Sequence, residues 1–328
     1  MSKLHCKIYF QNFTLLIIWI LILIFITEGI FRLCIYLKFI KYPNIKEDEI
    51  IYRYSGNKDL IYELKPNFSS VDGMYQTNKY GMRDYKYSLT KPSNVIRICV
   101  LGDSVAFGYD LVTVEQTFEK LLEVKLNNKS KIIKFEILNF SVPGYNSYQE
   151  EITLKEKVIK FKPDIILVGF CLNDDTYTDG YDELARELSP YSIGSKLHSK
   201  LISYILYLCE INLFEKLKDM DKVEHFFQQL SILSKEKHFD LIVLIFPFYF
   251  ENIELYKYKE KHIKVYNLAK KNGLKVIDFM DIWKDMDYRE REELYLFKDP
   301  MHFSFAGMKE IADKLFNYFV ITYNLEKK

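Results

Sequence analysis

Hydrophobic positions run along this chain in two rhythms. Near the N-terminus, FTLLIIWILILIFITEGIF (13–31) is apolar apart from Thr14 and the Thr27-Glu28-Gly29 interruption, close to the roughly 20 residues that a helix needs to span a bilayer. Beyond Pro92 the pattern changes to short β-branched runs separated by helical stretches: VIRICVL (95–101), KFEILNF (134–140), DIILVGF (164–170), DLIVLIF (240–246) and LKVIDF (274–279). That alternation predicts a parallel sheet with crossover helices. Helix starts are marked by Thr113 with Gln116 and by Ser147 with Glu150, which fit capping boxes, while Phe118, Leu121 and Leu122 mark one apolar face. A last helix is expected to open near Ser304, from FSFAGMKEIADKLF.

The pattern divides the chain into an N-terminal tail (1–12), a transmembrane anchor (13–37), a connector (38–93) and an α/β domain (94–328). The connector mixes Tyr, Lys, Asn and Pro without sustained periodicity and is expected to gain order by packing on the domain. An insertion at about 175–220, carrying LISYILYLCEINLF at 201–214, falls between the third and fourth strands. It reads equally as a lid over a substrate site or as a peripheral helix. No A-x-A-like site follows the apolar run, and Phe31-Arg32-Leu33 before Cys34 lacks the small residues of a lipoprotein box, so an uncleaved anchor is expected. Glu28 and Arg32, four residues apart on one helical face, are expected to pair at the interface. Lys3 and Lys7 precede the span while Arg32, Lys38, Lys41 and Lys46 follow it, a balance that suits a cytoplasmic domain. Long domains are exported largely regardless of flanking charge, however, and the short tail suits a signal anchor. The expectation is a single-pass cell-membrane protein with an extracytoplasmic domain.

Composition removes some chemistries. The chain has 46 Lys and Arg against 45 Asp and Glu, so no strong field would hold nucleic acid, which is not an expected partner. Its 26 Tyr and 25 Phe are expected mainly to fill cores. The five cysteines form no C-x-x-C pair, and neither a metal nor a cofactor is expected. Cys99 and Cys171 lie in apolar runs and read as buried thiols. With 49% hydrophobic residues over 328 positions, a compact enzyme domain is feasible.

In an open parallel sheet, ligands bind beyond the carboxyl ends of the strands. The first strand runs into Gly102-Asp103-Ser104, where a serine would project at the start of the next segment, although Asp-Ser after a strand is also an ordinary turn or cap. The second ends in LNFSVPGYNS, whose Gly144 offers an unshielded backbone N–H or a plain turn. The third ends in GFCLNDD, where the Asn173 amide could donate into the same crevice or serve only the loop. The fourth candidate, Asp299-Pro300-Met301-His302, holds an imidazole that alone would more often be structural. Together these segments supply a hydroxyl nucleophile, an imidazole to take its proton, a carboxylate to orient the imidazole, and donors for an oxyanion. Of the other histidines, His5, His198, His225, His238 and His262, none has an aspartate three residues before it. His225, His238 and His262 lie in charged, helix-like stretches where a solvated or packing role is expected.

GDS at 102–104, Gly144, the Asn173-Asp174 pair and D-x-x-H at 299–302 resemble, in order and spacing, the blocks of the SGNH/GDSL hydrolase family. QTNKYGMRDYKY (76–87) is similar to a segment that precedes the GDS block in membrane-anchored bacterial members, extending the resemblance over about 76–310. It implies a flavodoxin-like, three-layer α/β fold in which a parallel sheet is flanked by helices. It also implies Ser104 as nucleophile, Asp299 and His302 completing the triad, and an oxyanion hole from the Ser104 and Gly144 N–H groups and the Asn173 side chain. One departure is Cys171, which stands at the usual glycine position of the third block and puts the local backbone geometry in question.

The expected activity is a serine esterase hydrolysing an acyl ester, deacylating an envelope glycan or lipid. Alternatives are an O-acyltransferase modifying a surface polysaccharide, and a noncatalytic envelope protein of the same fold that binds glycan. Gly102-x-Ser104-x-Ala106 nearly fits the nucleophile elbow of α/β-hydrolases, but there the serine usually follows several strands rather than the first.

Overall fold

A computed structural model describes residues 3–40, 51–57, 59–60, 62–109, 113–174, 199, 201–202, 205, 220–323 and 325. It contains two compact units, residues 1–46 with 182–213 and residues 47–181 with 214–328.

In the first unit, α1 (Lys3–Tyr36) carries the apolar stretch Asn12–Tyr36, whose mean hydropathy is 2.6. Most of its large side chains from Phe13 onward stand exposed, among them Trp19 and Phe25, while Phe31 is buried. This helix is long and apolar enough to cross a membrane, a property that signal sequences share. The expected ion pair is present, with Arg32 Nε 2.7 Å from Glu28 Oε1. Glu28 Oε2 also accepts from the Ser199 hydroxyl at 2.8 Å and from the Leu201 N–H at 3.0 Å. The insertion expected at about 175–220 lies almost wholly outside the described residues, so its reading as lid or peripheral helix does too.

The second unit is built on five parallel strands: β3 (Val95–Gly102), β4 (Lys134–Asn139), β5 (Ile165–Cys171), β6 (Asp240–Phe246) and β7 (Lys275–Asp278). They lie in the order β4-β3-β5-β6-β7, all parallel, each matching one of the β-branched runs. Numbered from the first strand of this sheet, the order is 2-1-3-4-5, that of an open doubly wound sheet whose direction of winding reverses between β3 and β5. Ligand crevices form at that reversal, beyond the carboxyl ends of these two strands.

Strand residues point alternately to the two faces, so neighbours in sequence enter different cores. Cys99, Leu101, Ile166, Val168, Leu241 and Val243 pack on one side, with Leu154 of α4 (Ser147–Glu156), Phe227 of α5 (Met220–Lys237) and Val265 of α6 (Lys259–Lys271). Ile98, Val100, Ile165, Leu167, Ile242 and Leu244 face the other side, against Leu122 of α3 (Phe118–Lys129) and Ile311 and Leu315 of the C-terminal helix Phe305–Thr322. The near-continuous apolar runs of the central strands β5 and β6 are what strands buried on both faces require.

The helix signals need two corrections. Thr113 N–H does donate to Gln116 Oε1 at 3.3 Å, but the box opens a short 3₁₀ turn, Val114–Gln116, and α3 starts only at Phe118. The second box is shifted by one residue. Asn146, not Ser147, caps α4, accepting from Tyr148 and Gln149, while Gln149 reaches back to the Asn146 N–H at 3.3 Å. Asn is as good a cap as Ser, and the shift turns Glu150 into the interior, where it is fully buried. The C-terminal helix opens as expected, with the Ser304 hydroxyl accepting from Gly307 N–H.

Ahead of the sheet, β1 (Tyr52–Tyr54) and β2 (Tyr62–Leu64) form a small antiparallel pair. Tyr62 is buried, its hydroxyl donating to Pro143 O at 2.9 Å, and the Tyr145 hydroxyl donates back to Tyr62 O at 2.5 Å. These bonds tie the stretch before the sheet to the loop that follows β4.

Candidate active site

The serine is delivered by close packing between small residues. Gly102 ends β3 beside Gly169 of β5, and α2 (Ser104–Phe107) lies directly over the pair. A β-carbon on Gly102 would come within 2.6 Å of the Ala106 Cβ, and one on Gly169 within 3.0 Å of the same atom. Glycine at both positions and alanine on the helix therefore let α2 sit against the sheet, with Ser104 at its first turn. Asp103 caps this helix by accepting from Val105 N–H at 2.9 Å.

The imidazole arrives from the far end of the chain. Asp299 organises its own loop: Oδ1 accepts from the backbone N–H of Met301 at 2.8 Å and of His302 at 3.1 Å, and Oδ2 lies 2.7 Å from His302 Nδ1. Burial alone would raise the Asp299 pKa, but the hydrogen bonds from the His302 ring and from these N–H groups outweigh it and hold the carboxyl below its usual value. An ionised carboxylate only accepts, so Nδ1 is the donor to Asp299, and in the neutral ring Nε2 is then the acceptor. Nε2 stands 2.8 Å from Ser104 Oγ, although 198 residues separate the two in sequence. The Tyr109 ring lies beside the imidazole, with centroids 5.1 Å apart.

Asn173 sits on a tight turn after β5. Asp174 closes this turn, its N–H donating to Cys171 O and its carboxylate accepting from Cys171 N–H at 2.8 Å. Cys171 is the last residue of β5, buried, and is not among the residues with positive φ, so the position makes no demand for glycine. The glycine needed for close approach is Gly169, two residues earlier. Asn173 Nδ2 donates to Asp103 Oδ2 at 3.0 Å. Gly144, on the loop after β4, adopts φ 77°, a left-handed conformation that costs glycine little. Among the described residues, neither the Ser104 nor the Gly144 N–H donates a hydrogen bond within the protein.

The structure thus brings Asp299, His302 and Ser104 into one hydrogen-bonded series and joins Asn173 to the same helix through Asp103. Gly144 lies at the same edge of the sheet, on the loop after the neighbouring strand, but outside that series. Under the site, burial pushes the Asp103 carboxyl above its usual value, and burial together with nearby Asp103 pushes Glu150 well above it.

Several site neighbours escaped the sequence pattern. Asn139, the last residue of β4, donates to Ala106 O at 3.0 Å and to Glu119 at 2.8 Å. Arg83 donates to Phe107 O at 3.0 Å and to Gly108 O at 2.6 Å. Asp84 accepts from Asn139 N–H at 2.8 Å and pairs with Lys120 at 2.8 Å. The one available signal for the last two was the segment 76–87, whose resemblance carries no role for any single residue.

Residues 98–315 match the family described as GDSL-like Lipase/Acylhydrolase, from within β3 to within the C-terminal helix. No curated protein matches the chain. Similar solved structures include the acetyl xylan esterase AlAXEase, 17% identical, with 68% of this chain and 99% of that one covered at a TM-score of 0.48. Another is the lipase/acylhydrolase from Enterococcus faecalis, 15% identical, with 68% and 95% covered at a TM-score of 0.47. TesA is 12% identical, with 68% and 97% covered at a TM-score of 0.46.

Proposed function

This chain belongs to the GDSL-like lipase/acylhydrolase family, and we propose that it carries out that family's serine-hydrolase chemistry on ester bonds through Ser104, His302 and Asp299. The observation that carries the assignment is the 2.8 Å approach of His302 Nε2 to Ser104 Oγ, with Nδ1 held 2.7 Å from Asp299. Ser104 Oγ attacks the ester carbonyl carbon as His302 Nε2 takes its proton. The N–H groups of Ser104 and Gly144 and the side-chain amide of Asn173 stabilise the negative oxygen that forms. His302 then gives the proton to the departing alcohol, leaving an acyl group on Ser104. Water, deprotonated by His302, attacks that acyl-enzyme and releases the acid. Asp299 stays ionised throughout and holds the ring in the required tautomer.

The substrate in this reading is an acyl ester on an envelope glycan or lipid, with hydrolysis ranked before transfer. It rests on α1 as a single membrane span that holds the catalytic unit outside the cell, supported by the mean hydropathy of 2.6 over Asn12–Tyr36. The test is pre-steady-state hydrolysis of 4-nitrophenyl acetate by the full chain in detergent micelles. A burst of nitrophenol equal to the enzyme concentration, absent from Ser104→Ala, is expected for a covalent acyl-enzyme. No burst and no turnover from a folded wild-type chain contradicts the reading. Release of acetate from an acetylated glycan, compared with release of fatty acid from phospholipid vesicles, distinguishes the two substrate classes.

A further inference from the structure

A helix as short as α2 cannot satisfy its own backbone. The last carbonyls of any helix need partners from outside, and here nearly every carbonyl is a last one. The Phe107 N–H donates to Asp103 O at 2.9 Å and the Tyr109 N–H to Ser104 O at 3.1 Å, while the Gly108 N–H reaches Val105 O at 3.3 Å. That leaves the carbonyls of Ala106, Phe107 and Gly108. Asn139 supplies the first, and Arg83 supplies the other two.

Arg83 is built into this position. Its side chain is buried, its guanidinium carbon lies 4.9 Å from the Tyr75 ring centroid and 5.0 Å from that of Phe107, and Nη2 donates to Met74 O at 3.3 Å. One nitrogen, Nη1, therefore reaches the carbonyls of Phe107 and of the capping residue Gly108, while the guanidinium also lies beside the side chain of Phe107. Asn78 Oδ1 accepts from Tyr80 N–H at 2.9 Å and from Met82 N–H at 3.3 Å, shaping the turn just before Arg83. The next residue, Asp84, holds the Asn139 N–H, so adjacent residues on one segment serve both donors to α2. A positive group at the carboxyl end of a helix is also favourable to its dipole.

We propose that Arg83 is a positioning residue for Ser104: it braces the carboxyl end of α2 so that the hydroxyl at the other end stays aligned with His302 Nε2. The segment ahead of the sheet is then a working part of the site and not merely a connector. The proposal rests on the reading of Ser104 as nucleophile, because a brace on an unused serine would have no kinetic effect. Its structural half stands apart from that reading and can be measured separately.

The experiment uses the full chain in detergent micelles, comparing wild type, Arg83→Met and Arg83→Lys. Methionine keeps much of the apolar stem and loses every donor, whereas lysine keeps the charge without the fork. Hydrogen exchange is followed at the Phe107, Gly108 and Tyr109 amides, with β3 and α3 as internal references. Arg83→Met is expected to speed exchange at these three amides by about tenfold or more while the references hold, and Arg83→Lys to fall between. In the same samples kcat for 4-nitrophenyl acetate is expected to drop about 10- to 100-fold with KM within about twofold, since misplacing a reacting group affects the chemical step. Should Arg83→Met fail to fold, Arg83→Lys decides by the same two measures. Unchanged exchange at 107–109 overturns the brace, as does a loss of activity carried by KM alone. A wild-type chain that turns over no ester counts against the function proposed for Ser104, and the exchange data still decide whether Arg83 holds the helix.

Discussion

Among the described residues, two buried or half-buried His–Asp pairs look alike at the level of the bond. His302 Nδ1 lies 2.7 Å from Asp299, and His262 Nε2 lies 2.8 Å from Asp278. Both aspartates also accept backbone N–H groups from the residues two and three positions later. The difference is at the other ring nitrogen. His302 turns its free nitrogen to Ser104 Oγ, and its side chain is 15% exposed. His262 is fully buried, and its Nδ1 meets no hydrogen-bond partner among the described residues. A carboxylate can orient an imidazole for packing as readily as for proton transfer. What separates the two is a hydroxyl and solvent within reach of the second nitrogen.

Exchanging the two histidines gives the largest expected effect. His302→Ala and Ser104→Ala should each lower kcat for ester hydrolysis by roughly 10⁴-fold or more. His262→Leu should leave the kcat of the folded enzyme within about twofold, as stopped-flow hydrolysis would show. Comparable losses from both histidines would break the distinction. Next in size is Asn173→Ala, expected to cost about 100- to 1000-fold in kcat at unchanged fold, because it removes one oxyanion donor. Full activity in that variant removes Asn173 from the mechanism. His262→Leu should then appear in stability instead, lowering it by about 2–4 kcal/mol in denaturant titrations, since Asp278 loses a buried partner.

The carboxylates sharpen the contrast with a smaller effect. Asp299 has an imidazole and two N–H groups and is held below the usual carboxylate range, whereas burial pushes Glu119, in contact with Asn139, up to about 8. For Glu119 the unfolded chain releases its proton near the ordinary glutamate value of 4.5, and the folded chain keeps it until about 8. The unfolded state binds fewer protons across that window, so stability falls as pH rises through it. Glu119→Gln should therefore raise the melting temperature by a few degrees, about 1–2 kcal/mol, at pH 8.5 and change it little at pH 4.5. An equal gain at both values would mean that Glu119 does not titrate in this window.

The strands were readable in the sequence because strands buried on both faces, such as β5 and β6, are apolar almost throughout, and the five β-branched runs became five parallel strands. The Ser304 cap was readable for an equally local reason. Ser104 and the Asp299/His302 loop could be nominated because a strand end and a three-residue spacing are local signals, and the sheet then brings them together. Arg83, Asn139 and Tyr62 lacked such a signal. Their partners lie 24, 33 and 81 residues away, and a buried arginine in an aperiodic stretch looks like any surface arginine until the helix it caps is in view. The same blindness applies to His262, expected to be solvated or packed among its lysines. The helical period of α6 puts it on the buried face with Val265 and Ala269 and turns it to an aspartate 16 residues on.

The most direct measurement is labelling of the full chain in micelles by a fluorophosphonate, with the adduct located by peptide mass spectrometry in wild type, His302→Ala and His262→Leu. The account predicts a single adduct on Ser104 in wild type and in His262→Leu, and none in His302→Ala. A folded wild-type chain that takes no label, or labelling of Ser104 that persists undiminished without His302, would contradict it.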